Sequence, residues 1–145
     1  YAQSNRERYE GFCQALADAG KKVDSSLCLT TPLGIDTYRE EIDTFLSSLS
    51  RMPDAFVCAS DYVACILMQL LEKRGLRVPE DVAVSGFDNN TEDLLAEHLT
   101  TVQVFNEELG ARLALQILYR IKYPNTPHEI TYLGTNVLYR DSTGD

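Results

Sequence analysis

No stretch of this sequence stays apolar for the roughly 20 residues that a membrane span requires. Positive charge is also scarce: 13 lysines and arginines stand against 22 acidic residues, leaving a formal net charge of −9. A segment of that sign does not grip a phosphate backbone, which needs a positive face. None of the four cysteines (Cys13, Cys28, Cys58 and Cys65) sits in a C-x-x-C pair. Each lies among apolar neighbours, so they read as reduced core thiols of a cytosolic protein. The two histidines, His98 and His128, share no ligand spacing, and neither a metal site nor a cofactor is expected. The glycine loops that cradle nucleotides, the G-x-S-x-G elbow and any histidine-based dyad are absent, which argues against an enzyme on a doubly wound sheet.

What is present is an ordinary globular composition, 44% apolar and 24% charged over 145 residues, enough for one domain with its own core. Strand-like and helix-like stretches alternate. Ser4 and Glu7 have capping-box spacing ahead of Phe12, Ala15, Leu16 and Ala19, and Gly20 closes that helix. Residues 26–30 (SLCLT) read as a first strand. A second helix starts at Asp36 or Thr37, with Tyr38, Ile42, Phe45, Leu46 and Leu49 on its core face. Residues 55–59 (AFVCA) read as a strand covered on both faces. Ser60-Asp61 begins a third helix that ends at Gly75, and residues 82–85 form a third strand. A polar stretch after 85–90 (SGFDNN) reads as a short helix. Residues 100–104 read as a strand or connector, and 106–122 as a long helix with Leu109, Leu113, Ala114, Ile117, Leu118 and Ile121 on one stripe. Two extended runs, 129–133 and 136–140, finish the chain. The chain opens on a helix start with no strand before it, and reads as part of a longer protein.

Strands alternating with helices predict an α/β fold with a parallel sheet flanked by helices. Such sheets bind ligands beyond the carboxyl ends of their strands. The tips there are Thr30-Thr31-Pro32, Ser60-Asp61 and Gly86-Phe87-Asp88-Asn89, rich in hydroxyl, amide and carboxylate groups. Asp88 either makes a local turn or accepts hydrogen bonds from ligand hydroxyls. Arg8 lies in the first turns of a helix, where a cation runs against the helix dipole. It is either a solvated arginine or one placed to reach a ligand, and it shares a face with Phe12. Asp61 reads as the helix cap, with Ser60 free to offer its hydroxyl. The helix after it is apolar nearly all round, so it is buried on both sides or forms a subunit interface.

In order and spacing, these motifs resemble the effector-binding core of the LacI/GalR family of bacterial transcription regulators. The resemblance rests on Ser4, Arg8, Gly11, Phe12, Ala15 and Leu16; on residues 53–61 (PDAFVCASD); on 75–89 (GLRVPEDVAVSGFDN), the most specific block; on 99–102 (LTTV); and on 138–143 (LYRDST). It implies two α/β lobes, like those of type I periplasmic binding proteins, closing on an effector. Residues 1–104 would be the C-terminal lobe, 105–128 a crossover helix belonging to the other lobe, and 129–145 the return. Arg8 and Asp88 would contact the effector, often a sugar or derivative and sometimes a purine, with Ser60, Pro32 and Thr31 beside them. An Asp/Arg pair suits a polyol, since it supplies both acceptors and a multidentate donor.

Two positions depart from the family pattern. Ser60 stands where many relatives carry Asn, and Pro32 where sugar-binding relatives often carry an aromatic platform. These count against a typical stacked hexose and leave open a different sugar, a phosphorylated one or another small molecule. The resemblance further implies a homodimer, with Val63, Ile66, Leu67 and Leu70 at its interface. It implies a cytoplasmic location, and DNA contact only through an N-terminal helix-turn-helix domain that these residues do not include. The stripe on helix 106–122 would then lack its normal partner. The alternative reading is a solute-binding protein of a sugar transport or sensing system.

Overall fold

The computed structural model describes residues 3–32, 34, 36–89 and 97–144. The short helix expected after the 85–90 tip lies outside the described residues. Among the described residues are four α-helices and four short strands: α1 (Gln3–Asp18), α2 (Tyr38–Ser48), β1 (Ala55–Val57), α3 (Asp61–Lys73), β2 (Ala83–Ser85), β3 (Thr101–Gln103), α4 (Asn106–Lys122) and β4 (Asn136–Leu138). β1 and β2 are parallel neighbours, with Phe56 opposite Val84. Parallel bridges Ser85–Thr100 and Asp88–Gln103 carry the sheet on to β3, and β4 closes it antiparallel to β3.

The core sits between α2, α3 and the sheet. Ile42 and Leu46 of α2 meet Ala64, Leu67, Leu70 and Leu71 of α3, with Phe56, Val82, Val84 and Leu99 beneath. The spacing of α2's apolar residues predicted this face: Tyr38, Phe45 and Leu49 also pack against the core. α3 ends where Gly75, at φ 72°, turns left-handed and Leu76 N–H bonds Leu71 O at 3.0 Å. Only glycine enters that region without strain.

Several expectations are corrected. Residues 26–30 do not form a strand. Asp24 Oδ1 accepts from both the N–H and the hydroxyl of Ser26, winding Ser25–Leu27 into a 3-10 turn; an acidic side chain that bonds its own backbone two residues on favours turns. Ser4 does not cap α1, which already includes Gln3, and Glu7 takes its hydrogen bond from Gln3 Nε2. β1 is covered on one face only, since Ala55 and Val57 are exposed. Residues 129–133 pair with no strand, whereas 136–138 do.

Helix α4 has the predicted ends and no buried residue. Leu109, Leu113, Ile117, Leu118 and Ile121 all face outward, Ile121 at 72% exposure. The C-terminal turn Asp141–Thr143, by contrast, is stitched into the sheet. Thr100 Oγ1 accepts from Arg140 N–H at 2.8 Å, and Ser142 is buried beside Val84.

Candidate functional site

At the carboxyl end of β2 the chain passes through Gly86 and Phe87 into Asp88 and Asn89, at φ 105° and 51°. Asp and Asn tolerate positive φ better than other non-glycine residues, which accounts for their presence at this bend. The backbone is fixed by Asp88 N–H to Val102 O at 3.0 Å and by Asn89 N–H to Thr101 Oγ1 at 3.3 Å. Arg140 reaches across to Asn89 Oδ1 at 2.8 Å and to Leu99 O.

Arg8 approaches this tip from α1. Its Nη2 lies 3.4 Å from Asp88 Oδ1, its Nη1 donates to Ala59 O at 2.5 Å, and its guanidinium stacks 3.6 Å from the centre of the Phe87 ring. The arginine is thus engaged by an anion, a carbonyl and an aromatic face together. Burial pushes the Asp88 carboxyl above its ordinary value, the Arg8 charge pulls it back, and nearby Asp61 pushes it up again.

The cap of α3 is Ser60 and not, as was expected, Asp61. Ser60 is the α3 cap, its Oγ accepting from Val63 N–H at 3.4 Å. Asp61 is almost wholly buried and accepts from Thr101 Oγ1 at 2.6 Å. Gly86 passes so close to Asp61 that a methyl group there would meet its carboxylate oxygen.

Arg8, Thr31, Pro32, Ser60 and Asp88, the five residues singled out as ligand-binding, line one open cavity of about 450 Å³. Its wall is β1 and the start of α3 on one side and residues 27–32 on the other, with Asn5 and Tyr9 of α1 at its edge. Asn5, Tyr9 and Phe87 were not singled out. Asn5 lies three residues before Arg8 and Tyr9 three before Phe12, so the helical spacing that linked Arg8 with Phe12 reaches Asn5 and Tyr9 as well. The Ala59 carbonyl left no signal, because any residue carries one.

The suggested interface residues lie elsewhere. Ile66, Leu67 and Leu70 are core residues at 7%, 4% and 3% exposure, and Val63 lines the cavity. The apolar area of Ile66, Leu67 and Leu70 is spent inside the core, which corrects their assignment to an interface. Tyr62, at 58%, is the exposed large side chain of α3. Among the described residues no group of three or more His, Cys, Asp or Glu could hold a metal ion, and no helix is long and apolar enough to cross a membrane.

Comparison with known proteins shows what the chain is similar to. The pattern of the periplasmic binding protein-like domain family matches residues 1–143. The HTH-type transcriptional regulator CelR of Thermobifida fusca is 34% identical over 142 residues, covering 94% of this chain and 40% of CelR. A solved structure of the transcriptional regulator CelR–cellobiose complex superposes with a TM-score of 0.83 at 31% identity, covering 94% of this chain and 42% of that one. A LacI-type transcription regulator from Bifidobacterium animalis subsp. lactis gives 0.74 at 28% identity, covering 96% and 50%. The chain therefore spans half or less of the length of these relatives.

Proposed function

We propose, from the premise that this chain belongs to the periplasmic binding protein-like domain family and that its relatives are LacI-family transcriptional regulators, that it is the effector-sensing part of such a regulator. The observation that carries the proposal is the cavity at the strand tips, which collects Arg8, Asp88, Ser60, Thr31 and Pro32 around one ligand-sized space. Volumes of this order hold small molecules. The CelR relative was solved with cellobiose, which supports a sugar or sugar derivative here. Asp88 accepts from ligand hydroxyls, Arg8 holds Asp88 ionised and in place, and Ser60 and Thr31 supply hydroxyls.

Residues 1–104 with 129–145 form one lobe of a two-lobe cleft, and 105–128 belong to the other. The exposed stripe of α4 supports this division, since a helix with so much apolar surface normally buries it. Effector binding between the lobes biases their closure and so the DNA-binding arms. DNA contact belongs to a helix-turn-helix domain elsewhere in the full protein, in keeping with the −9 charge of these residues. The regulator works as a homodimer, with Tyr62 rather than Leu67 or Leu70 on the outer face of α3.

Titration calorimetry of the full-length regulator against cellobiose and a panel of simple sugars tests the reading. A bound sugar whose affinity falls about tenfold or more in Asp88→Ala is the expected result. Undiminished affinity in that variant would remove Asp88 from the site. Light scattering of the same sample reports the dimer, and a monomer would end that part of the proposal.

A further inference from the structure

We infer, building on the effector site just proposed, that this site takes an uncharged polyhydroxy ligand and discriminates against its phosphorylated or carboxylated forms. Among the described lining residues, Arg8 and Asp88 are the only two with a formal charge, and they lie 3.4 Å apart as a pair. The net charge they present is zero. Arg8 is already engaged: one terminal nitrogen donates to Ala59 O, the other lies 3.4 Å from Asp88 Oδ1, and the ring of Phe87 stacks on the plane.

An anionic ligand on Arg8 would compete with Asp88 for the same guanidinium. That would strand the Asp88 carboxylate beside Asp61, a second acid that is almost wholly buried. Burial and Asp61 already push the Asp88 carboxyl up, and the Arg8 charge opposes them. A like charge added at this point meets repulsion in a partly desolvated setting, where screening is weak.

The other feature that attracts anions is the N-terminus of α3 at Ser60. Two of its donors are committed. Ser60 Oγ takes Val63 N–H, Asp61 N–H goes to Phe87 O at 2.8 Å, and Asp61 itself sets a carboxylate in the first turn. Three further titratable groups on the wall, Cys58, Cys28 and Tyr9, are held in their neutral forms. Burial pushes the Cys58 thiol up to about 12, burial raises Cys28, and Cys13 beside Tyr9 raises the tyrosine hydroxyl. What is left for a ligand is a set of hydroxyls, one Asn5 amide and the outer lone pairs of Asp88, which suits neutral alcohols. The sequence alone left the phosphorylated sugar open; on this wall of the cleft the Arg8–Asp88 pairing counts against it.

The test titrates the full-length regulator with glucose, galactose and cellobiose, each beside its monophosphate ester, and with inorganic phosphate. At least one neutral sugar binds, and its ester binds about tenfold more weakly or worse. Inorganic phosphate leaves the wild type untouched but gains about tenfold or more in affinity for Asp88→Asn, in which Arg8 is released at nearly constant shape. An ester that binds as tightly as its parent sugar, or phosphate held by the wild type, overturns the inference while leaving the effector reading intact. Silence of every sugar and every ester overturns the effector reading, and this inference with it.

Discussion

Thr101 holds the buried carboxylate of Asp61, its Oγ1 donating to Asp61 Oδ1 at 2.6 Å while accepting from the Asn89 N–H at 3.3 Å. One hydroxyl thus ties the first turn of α3 to the residue that follows Asp88. Thr101→Val keeps the shape and removes the donor to a charged acceptor. We expect a loss of about 1.5–3 kcal/mol in urea unfolding. A change of a few tenths would mean that Asp61 does not depend on this contact.

Gly86 is required for space. An added methyl group would press on Asp61 Oδ1 and come within 2.8 Å of Leu99 Cδ2. Both neighbours are buried, so neither can swing into water. Gly86→Ala should cost about 1–3 kcal/mol, the usual range for overpacking. Because Asp61 N–H bonds Phe87 O at 2.8 Å, the same variant should also weaken effector binding. Unaltered thermal stability would contradict the crowding.

Ser142 is buried and works in both directions, donating to Val84 O at 2.6 Å and accepting from Thr100 N–H at 2.8 Å. Ser142→Ala leaves two backbone groups of the sheet without that partner. A loss of about 1–3 kcal/mol is expected. Hydrogen exchange at the Thr100 amide should quicken in the variant, and unchanged protection there would refute the assignment.

Asp81 bonds the Arg77 side chain at 2.8 and 2.9 Å and its backbone N–H at 2.8 Å. The Arg77 side-chain and backbone hydrogen bonds lower its carboxyl from 3.8 to about 2. A folded-state value below the unfolded one means that the stabilisation is present above 3.8 and is lost as the pH falls toward 2. Asp81→Asn should therefore melt below the wild type at neutral pH, with the gap closing through that acid window. A gap independent of pH would show that charge plays no part.

The stripe on α4 gives a comparison between two contexts. Leu113 and Ile117 are 57% and 53% exposed. Within this chain alone, Leu113→Ala with Ile117→Ala should move stability by less than about 0.5 kcal/mol, as surface changes do. In the full-length regulator, where the proposed second lobe covers the stripe, the pair should cost at least about 2 kcal/mol. Equal small effects in both contexts would dismiss that lobe as the partner.

Much of the fold could be read from local pattern. α4 kept its predicted ends, and α2 presented its predicted face, because helical spacing is set by nearest neighbours along one element. The tip at Asp88 was also legible, since strand ends are punctuated by polar residues. The misreadings came from competition that the pattern does not display. At residues 26–30 the apolar alternation lost to Asp24, whose side chain bonds Ser26 and winds the backbone. At 55–59 the run looked doubly covered, but Val57 stays 62% exposed at the cavity wall. The cap fell to Ser60 and not Asp61 because only the fold brings Thr101 to Asp61. Leu67 and Leu70 read as a possible interface because their eventual neighbours, Val84 and Leu99 among them, are remote in sequence.

The register of the antiparallel ribbon has an engineering consequence. β3 departs at Gln103 and β4 returns at Asn136 directly opposite it. The whole excursion through residues 104–135 therefore begins and ends one strand spacing apart. A tight hairpin such as Asn-Gly spans that gap without disturbing the pairing. Grafting one there would excise the sticky helix, spare the stitched carboxyl terminus, and leave a minimal lobe in which the Arg8–Asp88 corner stands alone.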